Sequence, residues 1–514
     1  MNLSAEISQL NLDPVLIEQL LSTIQQAHLA ADKSAQLERK LKSAELKIQA
    51  LTLELAHHKR IRFGVKNEAL SPEQRELFTE DWSSDNAALE LAVAAVPAAP
   101  RAPRQQAGRQ PLPEHLPRII HRHEPDHCAC GQCGKDLTLI REDISEQLDV
   151  EPARFFVHRH IRPQYACRAC EIIVAEPAPA ALIDGGMAAP GLLTWVMISK
   201  FQDHLPLYRL EQIAARSGVN LARSTLADWA GRCGFALQPL ADRLAELLRQ
   251  RAVLHADETP VQQLDPGAGK TKRAYLWVYR SNDLDDGPPI AVFDYKNGRS
   301  GEHARTFLGD WRGHLVVDDY PGYKALFAEG VREVGCWAHA RRKFFELHKA
   351  NQNPTAAQAL TRIGELYAIE AEARALTVAQ RQSLRQTAHT KLIAFKIWLD
   401  DTRLRTADGS ALAKAIDYSL KRWPALSRYA ETGHLPIDNN PVENTIRPIA
   451  IGKKNWLFAG SERAGQRAAA IQTLLATAKL NAIEPAAWLK DTLEKLPTWP
   501  NSRLDELLPI KQQS

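Results

Sequence analysis

The sequence predicts a multidomain α+β protein: an α/β sheet domain with a helical insertion, preceded by a heptad-patterned helix, a cysteine-rich β segment and a helical region. Three observations carry this. From Arg251 onward, three apolar or aromatic runs separated by polar turns are followed by a helix, a strand, a helix and a further strand. Ahead of them, two Cys-x-x-Cys pairs flank β-rich sequence. Nearest the start, apolar residues recur at alternating steps of four and three. At 514 residues the chain is too long for one ordinary core, so two to four domains are expected.

Leu37, Leu41, Ala44, Ile48, Leu51 and Leu55 lay one apolar seam along a helix, with Lys, Glu, Gln and Arg between them. That spacing suits a two-stranded coiled coil and hence a homo-oligomer; an amphipathic helix packed on its own protein is the alternative. Residues 1–80 form this segment. Residues 81–115 are rich in Ala, Pro, Gln and Arg, with five prolines between Pro97 and Pro113, and read as an extended linker.

Residues 116–182 hold five of the seven cysteines. Cys130 and Cys133 make one knuckle, and Cys167 and Cys170 another, thirty-four residues later. Four thiolates on two such knuckles fit a closed tetrahedral zinc ribbon, a structural site with no position open to substrate. Cys128 neighbours the first knuckle, but Cys130 has the right spacing. Buried thiols are the plain alternative. Because the N-terminus is amphipathic rather than signal-like, a metal site in a reducing cytoplasm is expected over a disulfide framework. No stretch approaches the roughly 18 to 20 apolar residues of a membrane span.

Residues 183–250 read as helical. Leu210 to Trp229 has the pattern of a helix-turn-helix: an apolar-patterned helix, Gly218 at the turn, and Ser224-Thr225 near the start of a second helix. A plain helical hairpin would look similar. Arg216, Arg223 and Arg232 favour DNA contact, whereas a net charge of +4 is too small to argue for nucleic acid by itself.

Residues 251–465 form the sheet domain. Strands are predicted at Val253–Asp257, Ala274–Arg280, Ile290–Asp294, Leu315–Asp318 and Val331–Gly335, with helices at Gly301–Leu308 and Tyr323–Phe327. This is the element order of a ribonuclease H-like fold, in which the first and fourth strands are neighbours. Residues from about 350 to 430 read as a helical insertion, with Tyr367, Ile369 and Leu376 on its apolar face. Residues 466–514 are a helical C-terminal region.

Three acidic residues sit where folding has no use for them. Asp257 and Asp318 each end a buried apolar strand, and Glu443 lies in what reads as the opening turn of a helix. Brought together, three carboxylates would hold two magnesium ions for in-line attack on a phosphodiester, because magnesium takes hard oxygen ligands and keeps open positions. Glu258, Asp319 and Asp438 are adjacent competitors. Cys336 and His339, three apart on a helix, could be a metal pair but lack further partners. The preferred reading puts His339 near the scissile phosphate, with Arg341, Arg342 and Lys343 along DNA; a solvated basic face is the plain alternative. Downstream, Arg447, Lys453, Lys454, Arg463 and Arg467 interleave with Asn455, Trp456, Phe458, Gly460 and Ser461. Cations there would contact phosphates, and Trp456 would stack on a base or belong to the core.

Several segments together resemble transposases of the insertion sequence 66 family over nearly the whole chain. They are His255-Ala-Asp-Glu-Thr-Pro260, Asp318-Asp-Tyr-Pro-Gly-Tyr323, Gly335-Cys-Trp-Ala-His-Ala-Arg-Arg-Lys-Phe344, Asp438-Asn-Asn-Pro-Val-Glu-Asn-Thr-Ile-Arg-Pro448, Lys453-Lys-Asn-Trp-Leu-Phe-Ala-Gly-Ser461 and Ala478-Lys-Leu-Asn-Ala-Ile-Glu-Pro-Ala-Ala-Trp488. The zipper-like and four-cysteine segments look like that family's too. One departure is Asp319, which stands where the family usually has Gly. The resemblance implies a DDE transposase with Asp257, Asp318 and Glu443 as its triad, using two Mg2+ (or Mn2+) ions and a structural Zn2+. It further implies double-stranded DNA as partner, an oligomer at the element's ends, possible accessory transposition proteins and a cytoplasmic, DNA-associated protein in a bacterium. The rival expectations are a catalytically inactive DNA-binding regulator and a ribonuclease H-like nuclease that never joins strands.

Overall fold

The computed structural model describes residues 154–161, 164–167, 172–175, 180–265 and 270–511. The heptad segment, the linker and Cys130, Cys133 and Cys170 lie outside the described residues. The chain divides into two units, residues 98–158 and the remainder, and every helix and strand among the described residues belongs to the latter.

A short antiparallel ribbon comes first, β1 (Gln164–Cys167) paired with β2 (Ile172–Ala175). Residues 154–161 form no strand and leave Phe156, Val157 and Ile161 exposed. Three helices follow: α1 (Pro190–Met197), continued by a π-helical turn to Gln202, then α2 (Leu207–Arg216) and α3 (Arg223–Leu248). Between α2 and α3 the chain turns at Gly218, whose φ of +76° is the left-handed conformation that glycine adopts without steric cost. Leu226, Trp229, Ala230 and Cys233 fill the inner face of the first part of α3.

The five-stranded sheet has the order β5-β4-β3-β6-β7, made of β3 (Val253–Asp265), β4 (Lys270–Ser281), β5 (Ala291–Lys296), β6 (His314–Val317) and β7 (Arg332–Gly335). β3, β4 and β5 are antiparallel neighbours, whereas β6 and β7 join in parallel on the other side of β3. Parallel strands need crossovers, supplied here by α4 (Gly301–Leu308) and α5 (Lys324–Ala328). β3 and β4 are longer than their apolar runs. Their far ends pair from Val261–Ala274 to Asp265–Lys270, and the Ala459 segment docks on the β3 extension through Ala459 N to Gln262 O and Leu264 N to Ala459 O. Tertiary pairing thus recruits polar residues that pattern alone leaves out.

A helical section follows β7: α6 (Trp337–Asn351), α7 (Pro354–Ala373), α8 (Val378–Leu404), α9 (Ala411–Lys421) and α10 (Trp423–Ser427). Side-chain caps begin α7, α8 and α9: Asn353 with Pro354 behind it, a Thr377–Gln380 capping box, and Ser410. Val253, Val316 and Val334 of the sheet share one apolar core with Trp337, Phe344, Ile363, Phe395 and Leu426 of these helices. Arg385, fully buried, forms a two-point ion pair with Glu370 and donates to the carbonyls of Tyr429 and Thr432, fixing the turn that leads out of this section.

The chain returns to the sheet as α11 (Asn440–Trp456), α12 (Glu462–Leu480) and α13 (Pro485–Lys495). Val442, Ile446 and Ile449 of α11 pack on Val261, Leu276, Val278 and Phe293. Along the edge strand β5, Thr477 Oγ1 accepts from Ala291 N and Thr473 Oγ1 from Phe293 N, which covers backbone donors a sheet edge would otherwise expose. No helix among the described residues is long and apolar enough to cross a membrane.

The ring of His204 lies so close to Gly452 of α11 that a methyl group there would collide with it. Burial, with Lys479 adding, pushes the His204 imidazole down from 6.5 to about 4. The folded state then binds fewer protons than the unfolded chain, so this group's share of stability is present above pH 6.5 and is lost as pH falls toward 4. His204→Asn, which tolerates the same positive φ, should fall off less steeply across that window in melting temperature against pH; parallel curves would refute the assignment.

Candidate active site

β3 places two acids side by side and the pleat separates them, because successive strand residues point to opposite faces. Asp257 lies on the face of Val253, His255 and Val261, which the helical section and α11 cover; Glu258 lies on the other. β3 and β6 pair in parallel as Val253–His314, Leu254–Leu315 and His255–Val316. Continued by two residues, that register sets Asp257 level with Asp318, just past the end of β6, on strands about 4.8 Å apart. Both carboxylates also act on the Tyr323 phenol, raising its pKa after burial and Glu258. Asp257 Oδ1 accepts from Glu258 N at 2.7 Å, and Asp318 Oδ1 from Tyr320 N at 2.8 Å. Both side chains are half-buried; Asp318 follows the end of β6, whereas Asp257 lies within β3 and does not end it as the sequence predicts, because pairing with β4 carries that strand on to Asp265.

Glu443 comes from the first turn of α11 and is buried, 4% exposed. Asn439, the residue before that helix, fixes its start. Its Nδ2 donates to Ala256 O at 3.0 Å, and its Oδ1 accepts from His255 Nδ1 at 3.0 Å. Its backbone N–H donates to Cys336 Sγ at 3.2 Å. Burial and Arg280 hold His255 down to about 4, so near neutral pH the ring is uncharged and its single proton sits on Nδ1. The amide of Trp337 donates to Ile437 O, which ties the starts of α6 and α11 together. As a result His339 and Glu443 face each other, with Nδ1 to Oε1 at 3.8 Å.

The competing acids have other partners. Glu258 takes an ion pair from Arg299 at 2.5 Å and a hydrogen bond from Tyr323 at 3.0 Å. Burial, with Asp318 adding, pushes it up to about 7 against the pull of Arg299. Asp319 points away to Arg422, which also holds Glu333. Asp438 accepts from the Tyr367 hydroxyl at 2.8 Å and from Asn440 N at 3.2 Å.

The basic residues divide. Lys343 and Lys454 are exposed, and Lys343 lies over the Tyr418 ring. Arg342 pairs with Glu346. Arg341 is 1% exposed, so it belongs to the interior and not to the open face the sequence suggests for it; the inward side of α6 carries it beside Phe344. Lys453 donates to Pro260 O, Arg447 to Asn444, and Trp456 packs partly buried against the α11 core. Arg216 ends α2 on the surface, and Arg223 opens α3 in an exposed ion pair with Glu211.

The model for the transposase IS66 family matches residues 185–467, a stretch that contains all three carboxylates. The chain belongs to this family. Further matches are the zinc-finger binding domain of transposase IS66 at residues 127–171, the IS66 C-terminal element at 473–510, and "Transposase C of IS166 homeodomain" at 50–120. Among curated relatives, the uncharacterized protein y4qI of Sinorhizobium fredii is 37% identical, covering 93% of this chain and 92% of its own length. The uncharacterized protein y4jD from the same organism is 37% identical, covering 89% of this chain and 94% of its own. Family membership supports a transposase role, DNA binding and a structural zinc in the finger domain.

The residue that sequence reasoning passed over is Asn439. It stands inside the IS66-like segment Asp438–Pro448, but nothing local distinguishes it from Asn440. Asn439→Ala would leave buried partners on His255 and Ala256 unsatisfied and should cost about 1–3 kcal/mol of stability in denaturant titration, with Asn440→Ala near neutral. Equal costs for the two would remove Asn439 from its role.

Proposed function

We propose that the protein is a DDE transposase that nicks the ends of its element and joins the freed 3′-hydroxyls to target DNA, with Asp257, Asp318 and Glu443 as the catalytic acids. The observation that carries this reading is the alignment of Asp257 with Asp318 on the sheet face where Asn439 docks the Glu443 helix. Support also comes from the strand order, three antiparallel strands joined in parallel to two more, which is that of a ribonuclease H-like domain.

The donor set is three carboxylates, one within β3, one just past β6 and one at a helix start, a hard oxygen set that fits Mg2+ or Mn2+. Two such ions, when bound, would lower the pKa of the attacking water or hydroxyl and stabilise the leaving oxygen. The residues of the chain do the rest. The Glu258 and Tyr320 backbone amides hold one oxygen of Asp257 and of Asp318, which orients each carboxylate. Exposed Lys343 and Lys454, and the neighbouring Arg342, Arg447 and Lys453, would lie along phosphates, and His339 would sit beside the reacting group. Arg216 and Arg223 of the α2–α3 turn, a helix-turn-helix in this reading, would contact the element's ends. Cys130, Cys133, Cys167 and Cys170 would hold the zinc, and the N-terminal segment would bring two or more copies together.

Three outcomes test this on DNA carrying the inverted repeats that flank the gene. Asp257→Ala and Glu443→Gln should each abolish magnesium-dependent cleavage while end binding is retained; cleavage surviving in both sinks the assignment. Products joined to a target distinguish a transposase from a nuclease that only hydrolyses. Protein purified without added metal should contain about one zinc per chain.

A further inference from the structure

The sequence offers Cys336 and His339 as a pair of metal-ligand types without partners; the fold supplies a third. Cys336 immediately precedes α6, and His339 lies in its first turn, on the same side three residues on. α11 brings in Glu443. The ligand atoms of the three side chains all lie within 4.8 Å of one another, in a position where Cys336 and Glu443 are buried and His339 is partly so. This constellation is not the hard oxygen set of the catalytic acids. A thiolate and an imidazole select zinc over magnesium, and with one carboxylate they make a three-ligand tetrahedral site with a fourth position for water. Zinc bonds of about 2.0–2.3 Å need ligand atoms nearer 3.3–3.7 Å apart, a contraction within the reach of side-chain rotation. His339 Nδ1 and Glu443 Oε1, at 3.8 Å, are almost there. The sulfur already accepts the Asn439 amide, a contact that a metal-bound thiolate keeps.

We propose that Cys336, His339 and Glu443 form a second, inhibitory zinc site, in which a soft divalent ion captures the Glu443 carboxylate and withdraws it from Asp257 and Asp318. Binding breaks the Cys336 S–H bond, forms a sulfur–zinc bond and releases the proton to solvent. No redox step is involved. The inhibitory consequence rests on the catalytic reading above; the existence of the site does not.

The full chain, already carrying its finger zinc, is equilibrated with excess zinc and passed through gel filtration, and bound metal is measured. Wild type should retain one more zinc per chain than Cys336→Ser and than His339→Ala. Equal zinc in all three overturns the site, and the histidine variant decides alone should Cys336→Ser not fold. In magnesium-dependent cleavage of end DNA, zinc should inhibit wild type, and Cys336→Ser should need at least about tenfold more zinc for the same inhibition, the loss expected from weakening one ligand. Identical inhibition curves overturn the regulatory role. If wild type cleaves nothing under any metal, the catalytic reading has failed, and the difference in bound zinc still decides whether this site exists.

Discussion

The structure turns on one side chain, Asn439, which welds the start of α11 to the middle of β3. Its side-chain amide satisfies a strand carbonyl and a buried histidine, while the backbone N–H of the same residue satisfies a buried sulfur. A buried amide meeting that many partners has one position only, since any displacement leaves polar groups without water or protein to bond. Glu443 inherits that position because it lies one turn along the same rigid helix. The carboxylate is therefore placed by a neighbour's hydrogen bonds and needs no strand of its own.

Around that joint, the pleat of β3 sorts two adjacent acids into different jobs. Asp257 faces α11 and the helical section, where Asp318 joins it. Glu258 faces the opposite layer, where Arg299 and Tyr323 hold it and Trp277 packs against Tyr320 and Tyr323. A shift of one residue in strand register would exchange the two, so the β3–β4 ladder, running from Leu254–Ser281 to Asp265–Lys270, specifies the site as much as the sheet. The helical section has a related duty. It separates β7 from α11 in sequence, yet it must deliver the chain back to β3, and Arg385, Glu370 and the carbonyls of Tyr429 and Thr432 lock the exit turn. A buried charge pair of this kind adds little net stability but penalises every other arrangement of that turn.

Much was legible from residue order alone. Alternation and apolar runs identified five strands, and an acid at the end of such a run is conspicuous because burial gives it no reward. Pro441 and the acid two residues beyond it mark a helix start, and α11 begins there. Less legible were the extensions of β3 and β4, whose outer residues are polar and hold together by pairing with each other and with the Ala459 segment. Arg341 reads as one cation in a basic run, and only the packing of α6 shows that its side of the helix faces inward. Trp456 could equally have been exposed; the core beneath α11 decides it.

What the sequence settled by itself was local: where the apolar cores of strands and helices fall, which apolar runs are followed by a carboxylate, and, through the IS66-like segments, the family. These depend on periodicity and on neighbours within a few residues. Tertiary structure decided which acids share a face, that Asp319 turns to Arg422 while Asp318 stays with Asp257's strand, and that Cys336, His339 and Glu443 meet. Those are contacts across long sequence separations, and no local pattern encodes them, because they follow from register, pleat and the docking of one helix on one strand.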